Sequence, residues 1–244
     1  MSWFKDWFGT EYYKMLYRHR NDEEARLFLD NLIIHLKLDK GAKVLDLACG
    51  RGRHSIYLAS KGLDVTGIDL AADSIEEASL SANNHLHFII HDMREKFPEG
   101  LYAVIINAFT SFGYFETEEE DLKTLKNVSQ ALNNNGYFVF DYFNVKKVIN
   151  EMQSDSEMNC DQVQFKIHKF IENKFIVKNI SVTDHGKTFL YTEKVKLFTL
   201  EELEEYFNLS GLKITACYGN YNLDAFEELT SDRLIILATK SVNI

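Results

Sequence analysis

Short apolar runs alternate with segments of helical periodicity from Lys43 to Phe140. Each run has the length of a strand that is buried on both faces, and each periodic segment repeats apolar residues three or four positions apart. The predicted strands are 44–47, 63–69, 86–90, 102–107 and 137–140. Strands that alternate with helices in this way predict a parallel sheet.

Capping residues mark the boundaries of the helices between these strands. Thr117 and Glu120 have the spacing of a capping box, and Asn21, followed by Glu24, could cap a helix in the same way. Gly62 is a suitable residue to end a helix. The predicted helices are 21–36, 53–62, 72–81 and 117–132, with residues 133–136 ending the last of them.

The regular alternation stops near Asn144, and period-two alternation continues to Phe198. Apolar positions 163, 165 and 167 alternate with polar neighbours, and residues 184–186 have the composition of a tight turn. We therefore predict an antiparallel β-meander inserted after the fifth strand. Thr199 with Glu202 then caps a further helix, which is followed by two closing strands, 213–218 and 233–239.

These elements together predict one α/β domain over residues 1–244. The expected architecture is a doubly wound, Rossmann-like, mostly parallel seven-stranded sheet with an antiparallel β insertion after the fifth strand and an N-terminal helical lid. The expected parts are the lid (1–40), the first half of the core (41–143), the insertion (144–198) and the rest of the core (199–244).

Aromatic residues crowd the N-terminal segment. They are Trp3, Phe4, Trp7, Phe8, Tyr12, Tyr13 and Tyr17. Large rings of this kind need an apolar surface to cover. Two interpretations carry about equal weight: a helix packed on the side of the domain, or a lid that contributes ring faces and phenol groups to a pocket.

Composition and charge restrict the partners. The chain has 244 residues, of which 45% are hydrophobic, and its formal net charge is −10, which disfavours nucleic acid and anionic membranes. The cysteines Cys49, Cys160 and Cys217 form no CxxC pair, so neither a disulfide framework nor structural zinc is expected. Together with the lack of a signal-peptide pattern or a long apolar run, this favours a cytoplasmic protein.

The stretch from Lys43 to Ala59 reads as strand, glycine turn and helix. Gly50 and Gly52 would expose backbone N–H groups at the start of a helix, where a ligand can approach. Asp69 ends the second predicted strand, 19 positions after Gly50, so its carboxylate could accept the ribose hydroxyls of a nucleoside. The alternative for Asp69 is a helix N-terminal acid or a turn acid before the next helix.

At these residues the chain resembles a known family. The run V-L-D-L-A-C-G-R-G at 44–52, Asp69 after the second strand and Asp92 after the third resemble the class I S-adenosylmethionine-dependent methyltransferases. The resemblance covers most of the chain in element order and is most specific in the first half. It implies transfer of a methyl group by in-line displacement. The acidity of the chain and the two segments expected to cover the pocket, the N-terminal lid and the β insertion, favour a small molecule with an N or O nucleophile as the acceptor.

The resemblance also implies where S-adenosylmethionine would bind, with 41–143 as the cofactor-binding half. Ala48 stands at the position where the family usually has its first glycine. Ala48 and Gly50 would line the methionine and ribose side of the cofactor, and Asp69 would hold the ribose hydroxyls. Asp92 with Met93 would face the adenine, and Asp46 would order the turn. The full set of implied cofactor residues is Asp46, Ala48, Gly50, Gly52, Asp69, Leu70, Asp92, Met93 and Asn107.

Two other functions stay open. A dinucleotide site needs a third glycine, but Ser55 stands at that position, so an NAD-dependent oxidoreductase is the weaker alternative. A noncatalytic module that binds S-adenosylmethionine would keep the same turn.

The sequence identifies the acceptor side less well. The loop 109–114 after the fourth strand is the preferred substrate-side segment, with core packing as its alternative. The meander could roof the pocket or form a homodimer interface. A general base is unknown. The candidates, chosen because they lie near the predicted site in the sequence, are Tyr13, Tyr114 and Tyr142, and as weaker candidates Tyr12, His54, His91 and His168. Arg51 and Arg53 could reach a carboxylate of the cofactor or of a substrate.

Overall fold

The structure, a computed structural model, describes residues 3–18, 22–98 and 100–241. Its strands form two sheets. They are β1 (Lys43–Leu47), β2 (Asp64–Asp69), β3 (Leu86–Ile90), β4 (Tyr102–Asn107), β5 (Leu132–Phe143), β6 (Asp155–Cys160), β7 (Val163–Glu172), β8 (Phe175–Asp184), β9 (Lys187–Lys196), β10 (Leu212–Tyr218) and β11 (Arg233–Lys240). The helices are α1 (Trp3–Trp7), α2 (Glu11–Leu16), α3 (Asp22–His35), α4 (Arg53–Ser60), α5 (Ala72–Ser79), α6 (Glu118–Ala131), α7 (Val145–Glu151) and α8 (Leu200–Leu209).

The larger sheet has seven strands in the order β10-β11-β5-β4-β1-β2-β3. Strands β1 to β5 run parallel, and β11 is antiparallel to both of its neighbours. The predicted mostly parallel seven-stranded sheet is confirmed. Because β1 lies between β2 and β4, the chain reverses its winding direction there, and the carboxyl ends of these strands border a natural ligand crevice.

Apolar side chains cover both faces of this sheet. On one face, Leu45 and Leu47 belong to a buried cluster that includes Leu125 of α6. On the other face, Val44 belongs to a second cluster with Phe28 of α3. The short apolar run of β1 is therefore explained by burial on both sides.

The smaller sheet has four antiparallel strands in the order β6-β7-β8-β9 and confirms the predicted β insertion. Its inner face packs against α1 and α2 through a cluster that contains Trp7, Leu16, Val163 and Phe165. The Trp7 indole is fully buried and donates to Glu193 Oε1 at 2.7 Å. The N-terminal segment thus covers the insertion rather than the side of the main sheet.

Both capping boxes predicted from threonine and glutamate are present, at the starts of α6 and α8. The predicted helix 72–81 ends earlier, at Ser79. The cap predicted at Asn21 lies outside the described residues.

Two other boundaries were predicted wrongly. The period-two pattern starting near Asn144 predicts a strand, but the chain forms helix α7 there. The Asn144 side chain accepts from Lys146 N–H and caps this helix. Residues 133–136, predicted as a helix end, belong to β5, whose register shifts between Tyr102 and Val104 of β4. At Asn144 tertiary contacts override the local pattern, since its amide also donates to the carbonyls of Glu228 and Ser231.

The three cysteines are free. Within the described ranges there is no group of three or more metal-ligating side chains and no helix long and apolar enough to cross a membrane.

Candidate functional site

A cavity of about 1060 Å³ lies between the carboxyl edge of the larger sheet and the inner face of the smaller one. Its floor comes from the segments that follow β1, β2, β3 and β4, and its other walls come from the N-terminal segment, the end of α7 and strands β7 to β9. We call strands β7 to β9 the roof. This volume is at the upper end of the usual range for ligand sites, about 300–1,000 Å³. The cavity has room for two small molecules side by side.

The glycine turn after β1 forms part of the floor. Gly50 has a φ of +54°, and a Cβ added to it would meet nothing within 4 Å, so the space beside it is open. Ala48, also on the floor, has a φ of +57°, a conformation in which glycine is less strained. Gly52 does not line the cavity: it precedes α4 with a φ of +78° and faces the Phe88 ring.

Asp69, at the end of β2, lines the floor beside this turn. Its two carboxylate oxygens accept backbone N–H groups on either side, from Gly50 at 2.8 Å and from Ala71 at 2.8 Å. Burial raises the pKa of Asp69, and the hydrogen bonds from these amides oppose the rise. Each oxygen keeps a lone pair for a hydroxyl donor. The alternatives proposed for Asp69, turn acid and ligand acceptor, are therefore compatible.

Asp46 lies deeper, on β1, with 1% of its surface exposed. Its Oδ2 accepts from the Ser55 hydroxyl at 2.6 Å, which ties the strand to the first turn of α4. Burial raises the pKa of Asp46 to about 7, with a smaller contribution from the charge of Asp69. Ser55, which stands where a dinucleotide site needs its third glycine, thus holds Asp46 in place.

The raised pKa of Asp46 predicts a pH dependence of stability. Between the ordinary value of 3.8 and about 7, the folded protein retains a proton that the unfolded chain releases, so Asp46 makes the free energy of unfolding fall as pH rises through this window. Asp46→Asn keeps the acceptor for Ser55 but cannot ionise. We expect the variant to be more stable than the parent protein by about 1–3 kcal/mol near pH 8.

Urea unfolding at several pH values measures this difference. The exposed Asp39→Asn is the control and should leave the profile unchanged. If the free energy of unfolding varied with pH in the same way for Asp46→Asn and the parent protein, the raised pKa of Asp46 would be contradicted.

The segment after β3 contributes His91, Asp92 and Met93 to the floor. The Asp92 carboxylate is held by the Arg94 guanidinium, with Nη2 at 2.6 Å from Oδ2, and Arg94 also contacts Glu120. His91 Nε2 is buried and has no hydrogen-bond partner among the described residues.

The loop after β4 is held in a strained conformation. Phe109 and Thr110 have φ values of +57° and +64°, which residues with a side chain adopt at a cost. The buried Asp141 of β5 stabilises them, because its Oδ2 accepts from Phe109 N–H at 2.6 Å and its Oδ1 accepts from Arg233 Nε at 2.7 Å. Arg233 in turn donates to Thr110 Oγ1 at 3.0 Å. The sequence analysis missed Asp141, although a single acid in an apolar strand is a usable signal.

The tyrosines predicted as candidate bases differ in location. Tyr13 and Tyr114 line the cavity, and the Tyr114 hydroxyl donates to Thr110 O. Tyr142 is fully buried, does not line the cavity and donates to Lys196 O at 2.6 Å. Tyr12 does not line it either, and donates to Asp184 at 2.9 Å.

The remaining predicted residues are placed as follows. Leu70, Arg51 and Arg53 line the cavity. His54 also lines it, stacked on Phe109 at 5.0 Å between ring centroids, and burial lowers its pKa to about 3, which keeps it neutral. Two others lie away from the cavity: Asn107, which donates to Leu47 O and Ser111 O, and the exposed His168, which contacts Asp155.

The roof carries charged residues that the sequence analysis missed. Glu193, 5% exposed, accepts from Trp7, from the Tyr17 hydroxyl at 2.7 Å and from Lys178 Nζ at 2.8 Å. Lys169 of β7 lies on the same wall. Lys169 follows the inward apolar positions 163, 165 and 167, so a charged residue at the next inward position was the signal available in the sequence.

Comparisons with known proteins agree with this geometry. Residues 38–198 match the family model described as a methyltransferase domain. The chain is 28% identical to the proposed methyltransferase YqeM of Bacillus subtilis over 224 residues, which cover 86% of this chain and 89% of that protein.

Solved structures with the same fold include an S-adenosylmethionine-dependent methyltransferase from Clostridium acetobutylicum, with a TM-score of 0.80, 21% identity and coverage of 95% of this chain and 96% of that one. The sugar N-methyltransferase KedS8 from Streptoalloteichus has a TM-score of 0.73 and 14% identity, with coverage of 94% and 93%. The family model spans more than half of the chain and includes the glycine turn, Asp69 and the whole insertion. The chain therefore belongs to the methyltransferase domain family and is a class I methyltransferase that uses S-adenosylmethionine.

Proposed function

We propose that this protein transfers the methyl group of S-adenosylmethionine to a nitrogen or oxygen atom of a small molecule. The observation that carries the proposal is the cavity itself, which has a floor at the carboxyl edge of the sheet and a roof of strands β7 to β9 above it. A site covered in this way suits a small acceptor better than a polymer that needs an open groove.

The residues on the floor fit the cofactor. Gly50 leaves open space where a side chain would stand, and the neighbouring Asp69 offers free lone pairs for two adjacent hydroxyls. Asp92, Met93 and Leu70 border the next part of the floor, where the adenine would lie. When bound, the cofactor supplies a sulfonium-activated methyl group. The role of the chain is to align the acceptor atom with that methyl group and to exclude water.

The acceptor class has two further supports. The net charge of −10 disfavours RNA and DNA as substrates. KedS8, which has the same fold, is a sugar N-methyltransferase, and this supports a small acceptor for this chain. A cytoplasmic location and a homodimer stay predictions, and light scattering of the purified protein would test the homodimer.

Base catalysis, if the acceptor needs it, has two candidates among the predicted tyrosines, Tyr13 and Tyr114, because both line the cavity. Tyr142 is buried and does not line the cavity, which argues against a direct role for that residue.

A thermal-shift comparison tests the cofactor first. S-adenosylmethionine and S-adenosylhomocysteine should raise the melting temperature, and NAD should not, because a ligand that binds only the folded state stabilises it. Incubation with methyl-labelled cofactor and fractions of a metabolite extract, bulk RNA and bulk protein then tests the acceptor class. We expect label in small molecules. Label confined to RNA or protein would contradict the proposal.

A further inference from the structure

We propose that Lys169 binds an anionic group of the methyl acceptor, a carboxylate or a phosphate. This inference rests on the proposed function, because it names a property of the small molecule that would share the cavity with the cofactor.

The first argument is the pairing of cations around the cavity. Among the described residues, every other lysine and arginine that lines it lies within 4.0 Å of a carboxylate, as Lys178 does with Glu193 and Arg233 with Asp141. Lys169 has no carboxylate within that distance among the described residues. In a protein with ten more acidic than basic residues, an unpaired lysine at a half-buried position needs a reason.

The second argument is the surroundings of Lys169. It is paired across the roof sheet with Lys178, a second cation, and Glu193, the acid that acts electrostatically on Lys169, already accepts from Trp7, Tyr17 and Lys178. Like charges at facing positions destabilise a sheet. Burial lowers the pKa of Lys169, as does the charge of Lys178, and the charge of Glu193 opposes this fall without cancelling it, so the ammonium lacks full compensation inside the protein. A ligand anion would supply it.

The third argument is register. On β7 the residues before Lys169 that point inward, Val163, Phe165 and Ile167, pack on the N-terminal segment. Lys169 occupies the next inward position, where the sheet passes from this apolar cluster to the cavity. Lys169 therefore lines the same space that Gly50 and Asp69 border from below.

Protection from acetylation tests the site without turnover. The protein is saturated with S-adenosylhomocysteine and treated with an N-hydroxysuccinimide acetate ester. The reaction is run in four separate solutions, which contain sodium acetate, sodium phosphate, acetamide or sodium chloride. Sodium chloride is added so that all four have the same ionic strength. Peptide mass spectrometry reports the rate at each lysine. We expect acetate or phosphate to slow acetylation of Lys169 by at least about threefold, because a bound anion favours the protonated ammonium.

Lys166, on the outer face of the same strand, is the internal control and should react equally in all four solutions. Protection by acetate identifies a carboxylate site and protection by phosphate a phosphate site. Equal rates at Lys169 in both anions and in chloride would overturn the proposal.

Variants then test the acceptor. For the metabolite that receives label, Lys169→Met should raise KM by about tenfold with little change in kcat. Lys169→Arg keeps the positive charge and should have a KM close to that of the parent protein. Lys166→Met should leave KM unchanged. A KM unaffected by Lys169→Met would overturn the proposal. If no small molecule is methylated, the proposed function fails, and the acetylation experiment alone decides whether Lys169 holds an anion.

Discussion

Gly52→Ala should destabilise the folded protein by about 3 kcal/mol or more. A Cβ at Gly52 would lie 2.5 Å from Phe88 Cζ and 3.2 Å from Ala78 Cβ, and the backbone there has a φ of +78°. Left-handed backbone costs an alanine about 1–2 kcal/mol, and overpacking costs about 1–3 kcal/mol more. Urea unfolding followed by far-UV circular dichroism measures the loss.

Gly50→Ala is the matched control, two residues earlier in the same turn. Its φ is also positive, at +54°, but its added Cβ meets nothing within 4 Å. We expect a stability loss of only about 1 kcal/mol. Binding of S-adenosylmethionine should weaken, because the methyl group of the new alanine enters the cavity. Equal stability losses in the two variants would contradict the packing role of Gly52. Phe88→Leu should recover part of the loss in Gly52→Ala and not in Gly50→Ala.

Asp69→Ala should weaken S-adenosylmethionine binding by about 1–3 kcal/mol, the cost of losing charged hydrogen bonds. The substitution removes both the lone pairs offered to the ribose and the acceptors that hold Gly50 N–H and Ala71 N–H at 2.8 Å. The glycine turn should therefore also become less ordered. Isothermal titration calorimetry gives the change in affinity, and hydrogen exchange at the Gly50 amide reports the turn.

Asp64→Ala is the control for Asp69, because Asp64 starts the same strand at the opposite edge of the sheet. It should bind the cofactor as the parent protein does. If a folded Asp69→Ala variant also bound with unchanged affinity, the assignment of Asp69 to the ribose would be wrong.

The floor of the site was largely predictable from sequence. A parallel β-strand that ends in a glycine turn and a helix leaves few places for the ends of its neighbours, so Asp69 and Asp92 could be placed on one edge from their order alone. In the structure both line the cavity. The local pattern did not show that Gly50 and Gly52 have different roles, since only the position of Phe88 separates them.

The roof was not predictable in the same way. Period-two alternation predicted the strands of the insertion, but not what would pack on them, and the N-terminal aromatics could equally have covered the side of the main sheet. The buried hydrogen bond from Trp7 to Glu193 joins residues 186 positions apart, a contact that no local pattern specifies.

The sequence by itself determined the class of fold, the β1 turn and the acids at the sheet edge, because strand burial, helix capping and glycine turns depend on neighbours within a few residues. Only the tertiary structure decided which residues face the cavity from above. Lys169, Lys178 and Glu193 come together there through strand pairing and through packing on the N-terminal helices. Glu193 accepts from Lys178 and from two aromatic donors, Trp7 and Tyr17, whereas Lys169 has no carboxylate partner among the described residues. This arrangement of charges depends on contacts between elements far apart in the chain.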